Sequence, residues 1–280
     1  MDLKNSLVAI AGSSGFIGRH LVRTLKEKNI KVRYLAGDLL TGEGLERFIS
    51  GADVVVNLVG EFYPPFKKQV ETNVICIENL CKVAANKEVK KIIHFSGAAA
   101  YGSATKGAFK EGDLLLPDTL YGVTKKMSEE VCDYYHRVFG LPFTIFRPTN
   151  VYGPGSDHGV IYNFISSIKK EGAVTVFGDG EQERDLLYVE DLVDAIIKGI
   201  EYSGNYDVFN LGLGKTYSLN EVLNYLSELY GKYITLRRQK DTGTSIRVLA
   251  ADNKKAREIL KWQPRVTLKE GLKLTWESIR

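Results

Sequence analysis

The 280-residue sequence has no apolar run near the ~18–20 residues that a membrane-crossing helix needs, so no membrane partner is expected. It is poor in cysteine: Cys76, Cys81 and Cys132 are three in all and are never spaced C-x-x-C. That excludes a disulfide framework and fits buried thiols in a reducing cytoplasm. His20, His94, His136 and His158 show no metal-ligand spacing, so no metal site is expected. Charge of one sign is also missing. The 38 Lys and Arg against 34 Asp and Glu leave a net charge of +4, with nothing denser than pairs such as Lys90-Lys91 and Arg237-Arg238. Nucleic-acid surfaces carry a denser basic stripe, so no nucleic-acid partner is expected. No internal repeat, low-complexity tract or free linker is visible. Met1-Asp2-Leu3-Lys4-Asn5 leads almost directly into an apolar run, without the pattern of a signal peptide.

What is present is an alternation. Leu7–Ala11, Lys31–Ala36, Val54–Val59, Lys91–Ser96 and Phe143–Arg147 read as short buried strands. Between them, Gly15–Lys28, Gly44–Ile49, Thr72–Asn86 and Thr119–Phe139 carry helical spacing, as in Val74, Ile77, Leu80, Cys81 and Ala84. Strands alternating with helices imply a parallel sheet covered on both faces, with ligands at the carboxyl ends of its strands. After Pro148 the rhythm loosens. Helices are expected near 160–170, 189–200, 219–230 and 253–260, with an isolated strand near 208–211. The prediction is an α/β protein: a doubly wound parallel sheet over 1–150, to which 188–212 returns. A smaller mixed α/β substrate lobe would comprise 151–187 and 213–280.

Gly12-Ser13-Ser14-Gly15-Phe16-Ile17-Gly18 follows a strand and opens a helix, the context in which a glycine motif cradles a dinucleotide pyrophosphate. Gly12 permits the tight turn, Gly15 lets the backbone approach a phosphate, and Gly18 lets the helix pack against the strand. Ser14, Phe16 and Ile17 complete the cradle. Free N–H groups and the positive end of the helix dipole then face the phosphates. Asp38, 20 residues after Gly18, is the acid available for an adenosine ribose, but it follows Ala36-Gly37, just past the strand. That displacement leaves the choice between NAD and NADP open; NAD is the expectation, with Arg19 and Arg33 as candidate partners of a 2′-phosphate.

Tyr121 and Lys125, four apart at the start of a helix, share one face. A phenol is a poor base at its ordinary pKa of ~10. An adjacent ammonium is expected to lower that value, and the same lysine can hold a nicotinamide ribose.

With these motifs the chain resembles the extended short-chain dehydrogenases/reductases of the NAD-dependent epimerase/dehydratase family, especially their UDP-glucose 4-epimerase-like members. The likeness also runs through Gly37-Asp38-Leu39, Asp53–Gly60, Asn73, Phe95–Gly102, Arg147–Pro154, and Phe177 through Arg184-Asp185 to Tyr188-Val189-Glu190-Asp191. It implies a Rossmann domain, with Tyr121 as general base and Lys125 as its electrostatic partner. It further implies that Asp38-Leu39 approach the adenine, and that Leu58, Val59, Gly60 and Asn73 line the cofactor.

Two departures from the family stand out. A helix and a strand normally found between the second strand and Gly-Asp-Leu are missing. The family's catalytic Ser/Thr position falls on Gly97, so Ser96, one residue away, is the expected hydroxyl donor, with Thr124 or a water as substitutes. Asn150, Arg184 and, more weakly, Arg247 match substrate-diphosphate positions, for which the planar fork of arginine is suited. Tyr152 and Phe177 are placed against the nucleotide base or in the core. The resemblance thus implies a cytoplasmic, homodimeric nucleotide-sugar epimerase, most readily a UDP-hexose 4-epimerase. Its dimer would form through the helices around Asn73–Asn86 and Thr119–Phe139. Ala98 and Ala99 stand where dehydratases carry an acid pair, which argues against dehydration. A sugar-nucleotide reductase, a non-catalytic nicotinamide-binding scaffold and an RNA-binding relative are the rival readings.

Overall fold

The computed structural model describes residues 3–103, 107–240 and 248–279. The chain opens with β1 (Leu7–Ala11), α1 (Phe16–Glu27), β2 (Lys31–Tyr34), α2 (Leu45–Ile49) and β3 (Val54–Asn57). There follow α3 (Phe66–Val70), a π-helical turn (Glu71–Ile75), α4 (Cys76–Ala84), β4 (Lys91–Phe95), a 3-10 turn (Ala98–Ala100), α5 (Leu120–Phe139) and β5 (Phe143–Pro148). These strands pair in parallel in the order β2-β1-β3-β4-β5. Every residue of β3 and β4 is buried, as a sheet covered on both faces requires. Only β2 lies outside β1, so the chain returns through α2 to the other side of β1 at once. The short Lys31–Ala36 passage into Gly37-Asp38-Leu39 is the sequence trace of this shortened edge.

One side of the sheet packs Ile10, Val56, Ile93, Phe95 and Phe146 against the helices of that face. The other packs Val55, Ile92 and Ile145 with Phe48, Leu80 and Cys132. The single helix expected over Thr72–Asn86 instead begins at Phe66 and is interrupted by the π turn. Helix α5 is set by its ends: Thr119 accepts from the Gly122 N–H at 3.0 Å, and Gly140, at φ +71°, closes it.

The later chain supplies β6 (Asn150–Tyr152), α6 (Gly159–Glu171), β7 (Ala173–Phe177), β8 (Glu183–Tyr188), α7 (Val189–Glu201) and β9 (Tyr206–Leu211). It ends with β10 (Thr216–Ser218), α8 (Leu219–Tyr230), β11 (Thr235–Gln239), β12 (Val248–Leu249), α9 (Lys254–Ile259) and α10 (Leu268–Ser278). Strand β9 is not isolated: it joins the main sheet beside β5, in parallel, with α7 packed in the same core. Ala256, Leu260 and Trp262 also reach that core. Strands β10, β8, β12 and β6 form a second small sheet, and β11 pairs with β7. Helices α6, α8 and α10 close a separate core around Phe164, Leu186, Leu226 and Leu272. Helix α10 has a capping box, with Thr267 and Glu270 bonding reciprocally.

Candidate active site

The glycine turn between β1 and α1 is closed by the Gly15 N–H on the Gly12 carbonyl at 3.1 Å. Gly12 has φ +80°, and a Cβ there would lie 3.0 Å from the Leu58 backbone. A Cβ on Gly18 would lie 2.1 Å from the Gly12 carbonyl oxygen, so helix and turn could not close. Gly15 meets only that same oxygen, at 3.3 Å, and its outer side is open. Ser14 and Gly15 form the exposed rim, while Phe16 and Ile17 are half-buried. Gly15 caps α1 with no side chain, and the first turn contains no acid. The turn is thus shaped and charged for a pyrophosphate.

Beside it, the chain after β3 runs Leu58, Val59, Gly60. Leu58 donates to the Ala11 carbonyl at 3.0 Å, and Val59 to the Asn57 Oδ1 at 3.2 Å. A Cβ on Gly60 would stand 3.2 Å from the Lys125 Nζ, so glycine here lets the lysine approach. Buried Asn73 grips the next residue twice: its Oδ1 accepts from the Glu61 N–H at 2.8 Å, and its Nδ2 donates to the Glu61 carbonyl at 2.9 Å. The same Nδ2 donates to the Thr124 Oγ1 at 2.9 Å. The polar atoms of Asn73 therefore hold the rim of the site together.

Asp38 is exposed, and its Oδ1 accepts from the Leu40 N–H at 2.6 Å. The Leu39 side chain is core, so what it can offer a ligand is backbone. Both arginines proposed for a 2′-phosphate are already engaged within the protein. Arg33 donates to the Arg47, Phe48 and Ser50 carbonyls where α2 ends. Arg19 ties the Ser14 carbonyl, at 2.7 Å, to that of Gly155, at 2.9 Å, and so fixes the glycine turn to the chain after β6.

Tyr121 and Lys125 project from the first turns of α5. Lys125 is buried, donates to the Phe95 carbonyl at 2.9 Å, and lies 5.6 Å from the centre of the Tyr121 ring. Burial lowers the lysine to about 8, against the pull of Glu129. Burial also pushes the Tyr121 phenol up to about 12. The expected lowering by the ammonium does not occur in the protein alone: desolvation governs the phenol.

Gly97 is extended, at φ 179°, and a Cβ on it would point to 3.9 Å from the Tyr121 hydroxyl. Ser96 stays in the ladder through its N–H to the Phe146 carbonyl at 2.9 Å. Its Oγ is buried and without a hydrogen-bond partner among the described residues. Thr124 is already committed: it donates to the Tyr121 carbonyl at 2.8 Å and accepts from Asn73. It is not a substitute hydroxyl for the substrate.

Two buried networks escaped the sequence reading. Asn57 donates to the His94 Nδ1 at 3.3 Å, His94 Nε2–H to the Ser128 Oγ at 3.0 Å, and Ser128 to the Lys125 carbonyl at 2.7 Å. Burial, aided by the Lys125 charge, holds His94 down at about 3, so it is neutral. Arg147 forks onto Glu129 at 2.8 and 2.6 Å and donates to the Tyr101 hydroxyl at 2.7 Å, which donates to Asn210 at 2.8 Å. Both networks join residues far apart in the chain, and neither has a motif.

In the second sheet, Asn150 and Leu186 are register partners, and Arg184 lies two residues before Leu186, so all three share a face. Arg184 is half-buried and donates to the Glu183 carbonyl at 2.8 Å; Asn150 donates to the Asp185 carbonyl at 3.4 Å. Asp185 points the other way. It accepts from the Leu213 N–H at 2.6 Å, the Gly214 N–H at 3.2 Å and the Thr149 hydroxyl at 3.2 Å, and burial raises it to about 6. Tyr152 is core, whereas Phe177 is exposed. Arg247 lies outside the described residues. No cluster of potential metal ligands occurs among the described residues.

The chain resembles known proteins over nearly its whole length. A UDP-glucose 4-epimerase from Thermotoga maritima, solved with UDP-glucose, superposes with a TM-score of 0.91 at 30% identity, over 97% of this chain and 98% of that one. The UDP-glucuronic acid 4-epimerase of Bacillus cereus, solved with UDP-glucuronic acid and NAD, gives a TM-score of 0.89 at 27% identity, over 97% and 98%. The UDP-glucose 4-epimerase of Lactobacillus helveticus is 30% identical over 92% of each chain. The model of the NAD dependent epimerase/dehydratase family matches residues 8–212. That match spans the glycine turn, Tyr121, Lys125 and nearly all of the main sheet, and the chain is a member of the NAD dependent epimerase/dehydratase family.

Proposed function

We propose that the chain is an NAD-dependent nucleoside-diphosphate-sugar 4-epimerase whose substrate is a UDP-hexose. The observation that carries this reading is the Tyr121 hydroxyl, set beside Gly97 at the carboxyl end of β4 with Lys125 beneath its ring. The Gly12–Gly18 turn would hold NAD, which when bound would supply the reversible hydride acceptor that C4 inversion requires. Tyr121 takes the proton of the sugar hydroxyl and returns it. Lys125 favours the charged phenolate once the site is closed to water. The unspent Ser96 Oγ holds the sugar oxygen, a use that accounts for a buried hydroxyl with no partner. Asn150, at the boundary of the two lobes, and Arg184, in the lobe formed by 151–187 and 213–280, hold the diphosphate while the keto sugar turns. Arg247 is assigned to the same anion by resemblance alone.

Ala98 and Ala99 sit in the 3-10 turn next to the site and offer no acid or base, which favours epimerisation over dehydration. Tyr134, Val138 and Phe139 are exposed apolar residues on α5 and support a homodimer through that helix. Cys76, Cys81 and Cys132 are free buried thiols, in keeping with a cytoplasmic protein. The test is to incubate purified protein with UDP-galactose and with UDP-glucose. Each should give the other without net change in NAD, and Tyr121→Phe should stop both. Cofactor binding with no conversion would favour a scaffold, and net NADPH oxidation with a keto sugar a reductase.

A further inference from the structure

The segment between Gly60 and α3 displays two aromatic side chains outward. Phe62 is 57% and Tyr63 55% exposed. Their backbone is nonetheless tightly held. Asn73 bonds both sides of Glu61, the Glu61 carboxylate accepts from the Tyr63 N–H at 2.9 Å, and Gln69 donates to the Phe62 carbonyl at 2.6 Å. Lys68 pairs with the second oxygen of Glu61 at 2.5 Å. Fixed backbone beneath exposed rings is the pattern of a binding wall rather than of a loose loop.

These rings stand beside the proposed general base. The Phe62 ring meets Tyr121 edge-to-face, with centres 4.9 Å apart. Tyr63 packs at 5.4 Å from Phe62, and on its other side reaches His158, at the start of α6, at 6.4 Å. The two rings thus bridge from the reacting hydroxyl to the second lobe.

We propose that Phe62 and Tyr63 form the wall on which the sugar ring rests, and that this wall selects neutral hexoses over uronates. The proposal rests on the nucleotide-sugar reading above. An aromatic face carries negative charge density, so it packs well against the C–H face of a pyranose and poorly against a carboxylate. The cations that α3 offers nearby are already engaged, Lys67 with Glu71 and Lys68 with Glu61.

The experiment compares Phe62→Ala, Tyr63→Ala and Tyr63→Phe with the natural protein, on UDP-glucose and UDP-glucuronate, with UDP alone as competitive inhibitor. Wild-type kcat/KM should favour UDP-glucose by about tenfold or more. Both alanine variants should raise the KM for UDP-glucose by about tenfold, narrow the preference and leave inhibition by UDP unchanged; Tyr63→Phe, which keeps the ring, should recover most of what Tyr63→Ala loses. A wild-type preference for the uronate, unaltered alanine variants, or equal loss of UDP and UDP-glucose binding would each overturn the wall while leaving the epimerase reading intact. A natural protein that converts no UDP-sugar would overturn both.

Discussion

A Cβ built on Gly97 would lie 3.9 Å from the Tyr121 hydroxyl, on backbone that any residue adopts. The space for a hydroxyl partner is present and its side chain is not. Ser96, one residue earlier, carries the buried and unpartnered hydroxyl. Ser96→Ala should therefore lower kcat by about tenfold or more, the usual order for losing one hydrogen-bond donor to the reacting oxygen. Gly97→Ser added to that variant should restore most of it. Steady-state kinetics of the two variants decide the matter. An unchanged Ser96→Ala enzyme would remove Ser96 from the mechanism.

Cofactor choice follows from the same kind of accounting. Arg33 Nη1 donates to three carbonyls and the two terminal nitrogens of Arg19 to one each, so recruiting either arginine to a 2′-phosphate would disturb bonds the protein already makes. Titration of the protein should give affinity for NAD at least about tenfold above that for NADP, the cost of leaving a phosphate without its arginine. Equal affinities would show that one of these arginines rearranges.

The sheet and the glycine turn were legible because each depends on local pattern: runs of four to six apolar residues, and glycines whose Cβ would strike backbone. The Thr267–Glu270 capping box of α10 is an equally local signal, T-L-K-E ahead of an apolar helix face, and it marks a helix beyond those expected from the sequence. Other features were not legible. Asn73 reads as a cofactor residue by resemblance, but its polar atoms hold Glu61 and reach Thr124, 51 residues further along the chain. Arg147 and Glu129 meet only because β5 and α5 are packed together. The phenol of Tyr121 also illustrates the limit. Spacing predicts that a lysine four residues on lowers it, whereas burial decides the outcome.

The chain of bonds from Asn57 through His94 and Ser128 to the Lys125 carbonyl gives a prediction about acid. His94 is held at about 3 in the folded protein, against ~6.5 in an unfolded chain. Between those values the unfolded chain binds a proton that the folded one does not, so stability rises with pH across the window and is lost on acidification. Asp185, raised to about 6 by burial, acts in the opposite direction over part of that range. Comparing the natural protein with His94→Gln cancels the Asp185 contribution. Urea unfolding at pH 4.5, 5.5 and 7 should show a flatter pH slope for the variant. Parallel slopes would mean that His94 is protonated in the fold.

The most direct test of the nucleotide-sugar epimerase reading is to follow UDP-galactose by proton NMR in deuterated water with purified protein and no added cofactor. A hydride kept within the site returns to the carbon it left. UDP-glucose should therefore accumulate with hydrogen, not deuterium, at C4, and Tyr121→Phe should slow this by ~10²–10⁴. Deuterium at C4, or no conversion by a protein that binds NAD, would contradict it.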